Sequence, residues 1–186
     1  HAAAYALIAY QCAWLKKYYP HEFFSSLMTY DQENTDKLSI FLNDLRRLSI
    51  NLLPPDINKS YDFFTVEHDL QNKKVIRCSL SSLKNLGIEA SKRLVKIRNE
   101  KGRFNSIDEF IDKVPLSIFG KRGLESLIKT GAFDEIYTNR NEIFQSIPNM
   151  LLHSQKVLED RKYNQDNLFK DFNNEKFSNS FKSISE

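Results

Sequence analysis

The chain has 186 residues, 41% of them hydrophobic, with 14 Phe and 8 Tyr but only five Gly and five Pro. That composition gives one ordinary domain or two small ones a real core, and it excludes a collagen-like or loop-dominated chain. The net charge of +3 says little about partners, while two widely separated cysteines (Cys12 and Cys78) and four scattered histidines argue against a disulfide framework and a metal cluster and point to a reducing, cytoplasmic setting.

The chain begins at His1 inside a helical pattern, so it is expected to be a fragment of a longer protein. No signal peptide is present, and the apolar run from Ala2 to Ala9 is far shorter than the roughly 20 residues that span a bilayer. Residues 1–18 are Ala-rich and predict a helix. Tyr5, Ile8, Cys12 and Leu15 recur at helical spacing with Trp14 beside them, a pattern expected to be a packed core face. Pro20 opens a second helix at its first turn, carrying Phe23, Phe24, Leu27 and Met28. After the polar break at Asp31–Asn34, either Asn34 or Thr35 can cap a third helix. Its stripe of Leu38, Phe41, Leu42, Leu45 and Leu48 is expected to pack on its neighbours, with Arg46 and Arg47 at the negative end of the dipole.

Pro54-Pro55, Asp56 and Asn58 mark an extended connector. Two strand-like runs follow, Phe63–Glu67 and Val75–Leu80, separated by a polar stretch. They predict a small β-hairpin in which Ile76 and Cys78 face inward while Arg77 and Ser79 face out.

The stretch from Leu83 to Asp134 carries the chemistry. Lys84-Asn85-Leu86-Gly87 is a tight turn ahead of a basic helical pattern, and Phe119-Gly120-Lys121-Arg122 is a second turn ahead of a helix that Gly131 caps. The two read as helix–hairpin–helix units in tandem. Such a hairpin aims successive backbone N–H groups outward at the start of its second helix, where the dipole adds to an anion site. Asn85 tolerates the left-handed region, Leu86 would anchor the turn in the core, and Gly87 would let a phosphate approach closely. Between Leu83 and Arg103 seven cations (Lys84, Lys92, Arg93, Lys96, Arg98, Lys101, Arg103) face two acids (Glu89, Glu100), leaving +5. Lys92, Arg93 and Lys96 are the expected phosphate contacts, which supply affinity and salt dependence but no sequence choice. The second turn, with Gly120, Lys121 and Arg122, is expected to be the weaker of the two. A solvated basic helix face is the competing reading. The chain holds no spaced aspartate pair for two metal ions, no Gly-rich phosphate loop and no Ser/His/Asp set, so the fragment reads as a binding module.

Residues 138–159 predict one or two helices broken at Pro148, with Ile143, Phe144 and Ile147 before the break and Leu151, Leu152 and Leu158 after it. From Arg161 onward Asn, Asp, Lys and Ser dominate, and this tail is expected to be disordered apart from Leu168-Phe169.

Several local signatures stand in the order of a known family. They are His1-Ala2-Ala3-Ala4-Tyr5-Ala6-Leu7-Ile8-Ala9-Tyr10-Gln11, Tyr19-Pro20-His21-Glu22-Phe23, Asn34-Thr35-Asp36-Lys37, Leu53-Pro54-Pro55-Asp56-Ile57-Asn58 and Leu127-Ile128-Lys129-Thr130-Gly131-Ala132-Phe133-Asp134. Over residues 1 to about 150 the chain resembles the C-family replicative DNA polymerases of bacteria, the DNA polymerase III alpha subunits. The resemblance implies a mainly α fold: the end of the fingers domain (1–60), a β-hairpin connector (61–80), a tandem helix–hairpin–helix domain (81–150) and a tail (151–186). It implies duplex primer–template DNA, the sliding clamp (beta subunit) and other holoenzyme subunits as partners, and no membrane. Gln165-Asp166-Asn167-Leu168-Phe169 is similar to the family's clamp-binding peptide, with Gln165, Leu168 and Phe169 as its fixed positions. His1 would lie near the incoming nucleotide. Catalytic carboxylates and Mg would belong to a palm upstream, so the fragment itself is expected to hold no cofactor and to be inactive. The family usually has Gly-x-Gly where this chain has Asn85-Leu86-Gly87. The alternatives are a non-catalytic tandem-hairpin scaffold or repair factor, and a decayed polymerase gene remnant.

Overall fold

The computed structural model describes the backbone of residues 2–166 and the side chains of residues 2–160. Seven α-helices, one 3-10 turn and a three-stranded sheet follow in the order α1 (Ala2–Tyr18), α2 (Pro20–Tyr30), α3 (Thr35–Arg47), β1 (Leu52–Leu53), β2 (Thr65–His68), β3 (Lys74–Arg77), α4 (Ile88–Lys101), α5 (Ile107–Lys113), the turn Leu116–Ile118, α6 (Gly120–Lys129) and α7 (Arg140–Asp166). The fold is mainly helical, as the residue pattern predicts.

Two cores organise it. The smaller gathers Phe24, Met28, Leu45, Ile50, Phe64 and Ile76 from α2, α3 and the sheet. Pro at the first position starts α2, and the Asn34 side chain caps α3 by accepting from the Lys37 amide at 3.1 Å, so Asn34 and not Thr35 is the cap. Leu45 is buried and Leu38, Phe41 and Leu42 pack beside it, but Leu48 at the end of the stripe is exposed. α1 departs further from expectation. None of its residues is buried, and Tyr5, Ile8, Trp14 and Leu15 all stand in solvent. Its periodicity is real, but that face stays largely open to solvent.

The sheet also differs from a simple hairpin. β2 and β3 pair antiparallel, with Val66 opposite Ile76, but β1 adds a third strand, parallel to β3, with Leu52 opposite Ile76. The order β1-β3-β2 makes β3 central. Arg77 is therefore buried, not exposed as strand alternation predicted. Its guanidinium is satisfied by Glu67 (Nη2–Oε1 2.5 Å, Nε–Oε2 3.2 Å) and by the Pro54 carbonyl at 2.9 Å, as a buried charge requires.

The larger core is built from α4 to α7 and both turns. Phe104, Phe110, Leu94, Leu116, Leu124, Leu127 and Phe133 are essentially inaccessible. Phe110 meets Phe104 and Phe133 edge-on at 5.1 and 5.0 Å between ring centres, the geometry aromatic quadrupoles favour. α7 closes this core with Ile143, Ile147 and Met150. It is one continuous helix with Pro148 inside it, and it runs on to Asp166, so the expected break at Pro148 does not occur and the first residues of the expected tail are helical.

Candidate nucleic-acid interface

The two turns are built differently. Before the first, the helix of a hairpin unit is reduced to consecutive tight turns: the Leu83 amide donates to the Leu80 carbonyl and the Leu86 amide to the Leu83 carbonyl, each at 3.1 Å. Asn85 takes the left-handed conformation (φ 64°), and Leu86, 2% exposed, pins the turn into the larger core. Gly87 has an ordinary extended φ of −68° and serves as the N-cap of α4. The positive φ that the turn needs is thus supplied by Asn85. In the second turn Gly120 takes it, at φ 62°.

The starts of α4 and α6 lack the side-chain cap that α3 and α5 carry, a lack shared by α2, where Pro20 follows Tyr19. Asn34 caps α3 and Ser106 caps α5 through side-chain oxygens, whereas α4 begins at Gly87 and α6 at Phe119, with no side-chain cap. The first-turn N–H groups of these two helices keep their hydrogen-bonding capacity for something outside the helix.

Charge reinforces the same edge. Lys84, Asn85, Gly87, Gly120, Lys121 and Arg122 are exposed, as are Lys92, Arg93 and Lys96 along α4. Lys92 shares its charge with Glu89 at 3.5 Å and Lys96 with Glu100 at 3.8 Å, both exposed pairs of small energetic weight. Lys84, Arg93, Lys121 and Arg122 form no ion pair among the described residues. The second turn therefore contributes at least as much uncompensated charge as the first. Arg98, counted with the basic stretch, faces inward. Its Nη1 donates to the carbonyls of Ile57 (2.9 Å) and Ser60 (2.7 Å), and its guanidinium lies 5.0 Å from the Tyr61 ring centre. Burial pulls its pKa below the ordinary guanidinium value, and its place is structural.

Arg98 belongs to a clasp that holds the connector after β1 against the hairpin core. The Ile57 amide donates to the Ala132 carbonyl at 3.0 Å, and Asn58 exchanges two hydrogen bonds with the Phe104 backbone. Lys59 and Arg103 both reach Glu135, at 2.9 and 2.7 Å. Burial raises the carboxyl pKa of neighbouring Asp56. Behind the second turn, Gly131 (φ 82°) ends α6 in a Schellman arrangement: its amide donates to Ile128 O and the Ala132 amide to Leu127 O, each at 3.0 Å. Gly123, which the sequence reading passed over, brings the two turns together; a lone Gly inside an amphipathic helix is the signal that marks it.

His1, Leu168 and Phe169 lie outside the described residues, and Gln165 falls on the last turn of the α7 backbone. Among the described residues no group of three or more His, Cys, Asp or Glu could hold a metal ion. No described helix is long and apolar enough to cross a membrane.

A family model described as a helix–hairpin–helix motif matches residues 49–143, which include both turns. The chain is 42% identical over 169 residues to the DNA polymerase III subunit alpha of Caulobacter vibrioides, covering 91% of this chain and 14% of that protein. It is 40% identical over 170 residues to the subunit of the same name from Campylobacter jejuni, again 91% and 14%. It is 42% identical over 147 residues to that of Neisseria meningitidis serogroup A, covering 79% and 12%. The chain thus spans about one seventh of the length of the first relatives it matches.

Proposed function

The chain belongs to the helix–hairpin–helix family and aligns with one segment of DNA polymerase III subunit alpha, and from that premise we propose that it grips the backbone of duplex DNA within a replicative polymerase. The observation that carries this reading is the pair of uncapped helix starts at Gly87 and Phe119, flanked by Lys84, Arg93, Lys121 and Arg122. Backbone N–H groups and unpaired cations suit phosphate oxygens and have no means of telling one base pair from another. The test is a titration of two duplexes of unrelated sequence at several salt concentrations. Log K should fall linearly with log salt for both. Replacing Lys121 and Arg122 by Ala should flatten that slope by up to about 1.8, since each phosphate contact contributes roughly 0.9. A slope unchanged by the double substitution would overturn phosphate contact at the second turn.

In a complete polymerase this segment would hold primer–template duplex behind the reaction centre, in the cytoplasm and beside the other holoenzyme subunits. Divalent metal and its carboxylates would come from elsewhere in that polymerase, so the 186-residue chain alone should not extend a primer; extension by the purified chain would sink this. Gln165, Leu168 and Phe169 would tether the polymerase to the sliding clamp, with the two apolar side chains as buried anchors. Changing Leu168 and Phe169 together to Ala should abolish clamp binding, and undiminished affinity would refute the assignment.

A further inference from the structure

Gly123 sits in the first turn of α6 with its backbone in the ordinary helical region. No conformational need explains a glycine there, and glycine is a poor residue for a helix interior. Space explains it. A Cβ at position 123 would lie 3.0 Å from the Asn85 carbonyl oxygen, 3.3 Å from Phe119 Cβ and 3.4 Å from Leu86 Cδ1. The first turn of α6 therefore rests directly on the first hairpin turn, and the carbonyl it meets belongs to the residue in the left-handed conformation. Glycines 87 and 120, at the outer side of the same turns, would meet nothing within 4 Å. Of the three glycines in the two turns and the start of α6, only Gly123 is crowded, and its crowding comes from the first turn and from Phe119.

We infer that Gly123 is a positioning residue that locks the two hairpin turns into one continuous phosphate-contacting edge. The inference rests on the DNA-binding reading above. Without a side chain at 123, α6 approaches Asn85 closely enough that the free N–H groups at the start of α4 and those at the start of α6, with Lys84, Lys121 and Arg122 between them, face a backbone as a unit. A methyl group at 123 must push the Asn85 carbonyl outward by a few tenths of an ångström. That shift tilts the turn that Leu86 anchors, while the contacts to Leu86 Cδ1 and Phe119 Cβ, at 3.4 and 3.3 Å, are less tight.

The experiment uses the 186-residue chain and a duplex of defined length. Wild-type affinity and salt slope are measured first, and failure of the wild type to bind duplex removes the DNA-binding reading itself. With binding established, Gly123→Ala should keep its far-UV circular dichroism and its melting temperature, because Ala favours the helix that the contact disfavours. It should nevertheless bind about three- to fivefold more weakly, scaled down from the roughly 100-fold that a 1 Å misplacement of contacting groups can cost. Asn85→Gly placed in the Gly123→Ala background should restore part of the affinity, since glycine lets the turn re-aim its carbonyl. Wild-type affinity in Gly123→Ala would overturn the inference. Wild-type chain labelled with ¹⁵N supplies a measurement independent of any variant. The amide signals of residues 86–89 and 121–123 should shift along one common binding curve, and two distinct dissociation constants for the two sets would equally overturn it.

Discussion

At the scale of single residues, the sequence identifies which side chains carry charge but not which way they face. Lys84, Lys121 and Arg122 are found on the surface, as their turn context requires. Arg98 and Arg77 are not; each is drawn inward by carbonyls or a carboxylate contributed by segments distant in sequence. Local pattern cannot supply those partners, so a basic stretch counted at +5 presents less charge to solvent than the count implies. Glu109 is a case where local chemistry is fully legible. Ser106 accepts from the Glu109 amide at 3.1 Å, and the Glu109 carboxylate accepts from the Asn105 amide at 2.7 Å and from Lys113 Nζ at 2.5 Å, a reciprocal cap on α5. The Lys113 hydrogen bond, followed by that of Asn105, holds the Glu109 pKa below the ordinary carboxylate value. A depressed folded-state pKa stabilises the fold above the unfolded value, and that stabilisation is lost as pH falls through the folded value. Glu109→Gln should therefore lower the melting temperature at pH 7 by about 1–2 °C, because solvent screening keeps a surface carboxylate's pairing weak. The gap to wild type should narrow as pH falls below the ordinary carboxylate value and through the lower folded-state one. A gap that persists unchanged at pH 3 would show that the carboxylate charge is not the source.

At the scale of elements, helices with a dense apolar stripe or a named cap are found where the residue pattern puts them, and the failures have distinct physical causes. β1 is two residues long and exists because β3 offers it a free edge; an isolated Leu-Leu pair gives no such signal. α1 has the periodicity of a buried helix, yet periodicity reports a face that favours cover without supplying the cover. Pro148 misleads in the opposite direction. A proline inside a helix removes one N–H donor and crowds the preceding turn, which argues for a break. Here it lies on the exposed side of α7, while Ile143, Ile147 and Met150 hold the opposite side in the core. Tertiary packing carries the helix across the defect. Pro148→Ala should then return a donor for the Phe144 carbonyl without opening a cavity, and stability should rise by about 1–3 kcal/mol, less than the full proline penalty because the unfolded chain also gains freedom. Urea unfolding of the two proteins measures the difference, and a fall in the midpoint would mean that Pro148 shapes α7 in a way the packing depends on.

At the scale of the whole molecule, the division into two cores decides what each mutation can reach. Both turns of the proposed DNA-contacting edge rise from the larger core, through Leu86 and Phe119. Among the described residues the smaller core is a cluster separate from the one beneath that edge. Cys78 packs against both cores, with its thiol pKa raised by burial, and Ser79 Oγ donates to Gln32 Oε1 at 2.8 Å across the α2–α3 turn. If the segment binds DNA as proposed, loss of packing in the two cores should have separable consequences. Leu127→Ala, at a fully buried position of α6, and Met28→Ala, in the smaller core, should each cost about 2–5 kcal/mol of local stability. Leu127→Ala should speed amide exchange in α4 to α7 and weaken duplex binding. Met28→Ala should speed exchange in α2, α3 and the sheet and leave duplex affinity within about twofold, because regions with separate cores open as separate units. Amide exchange read by mass spectrometry, paired with a duplex titration of the same samples, distinguishes the cases. If Met28→Ala loosens α4 and α6 as much as Leu127→Ala does, the Cys78–Ser79 seam joins the two cores into one cooperative unit, and the edge depends on the whole chain.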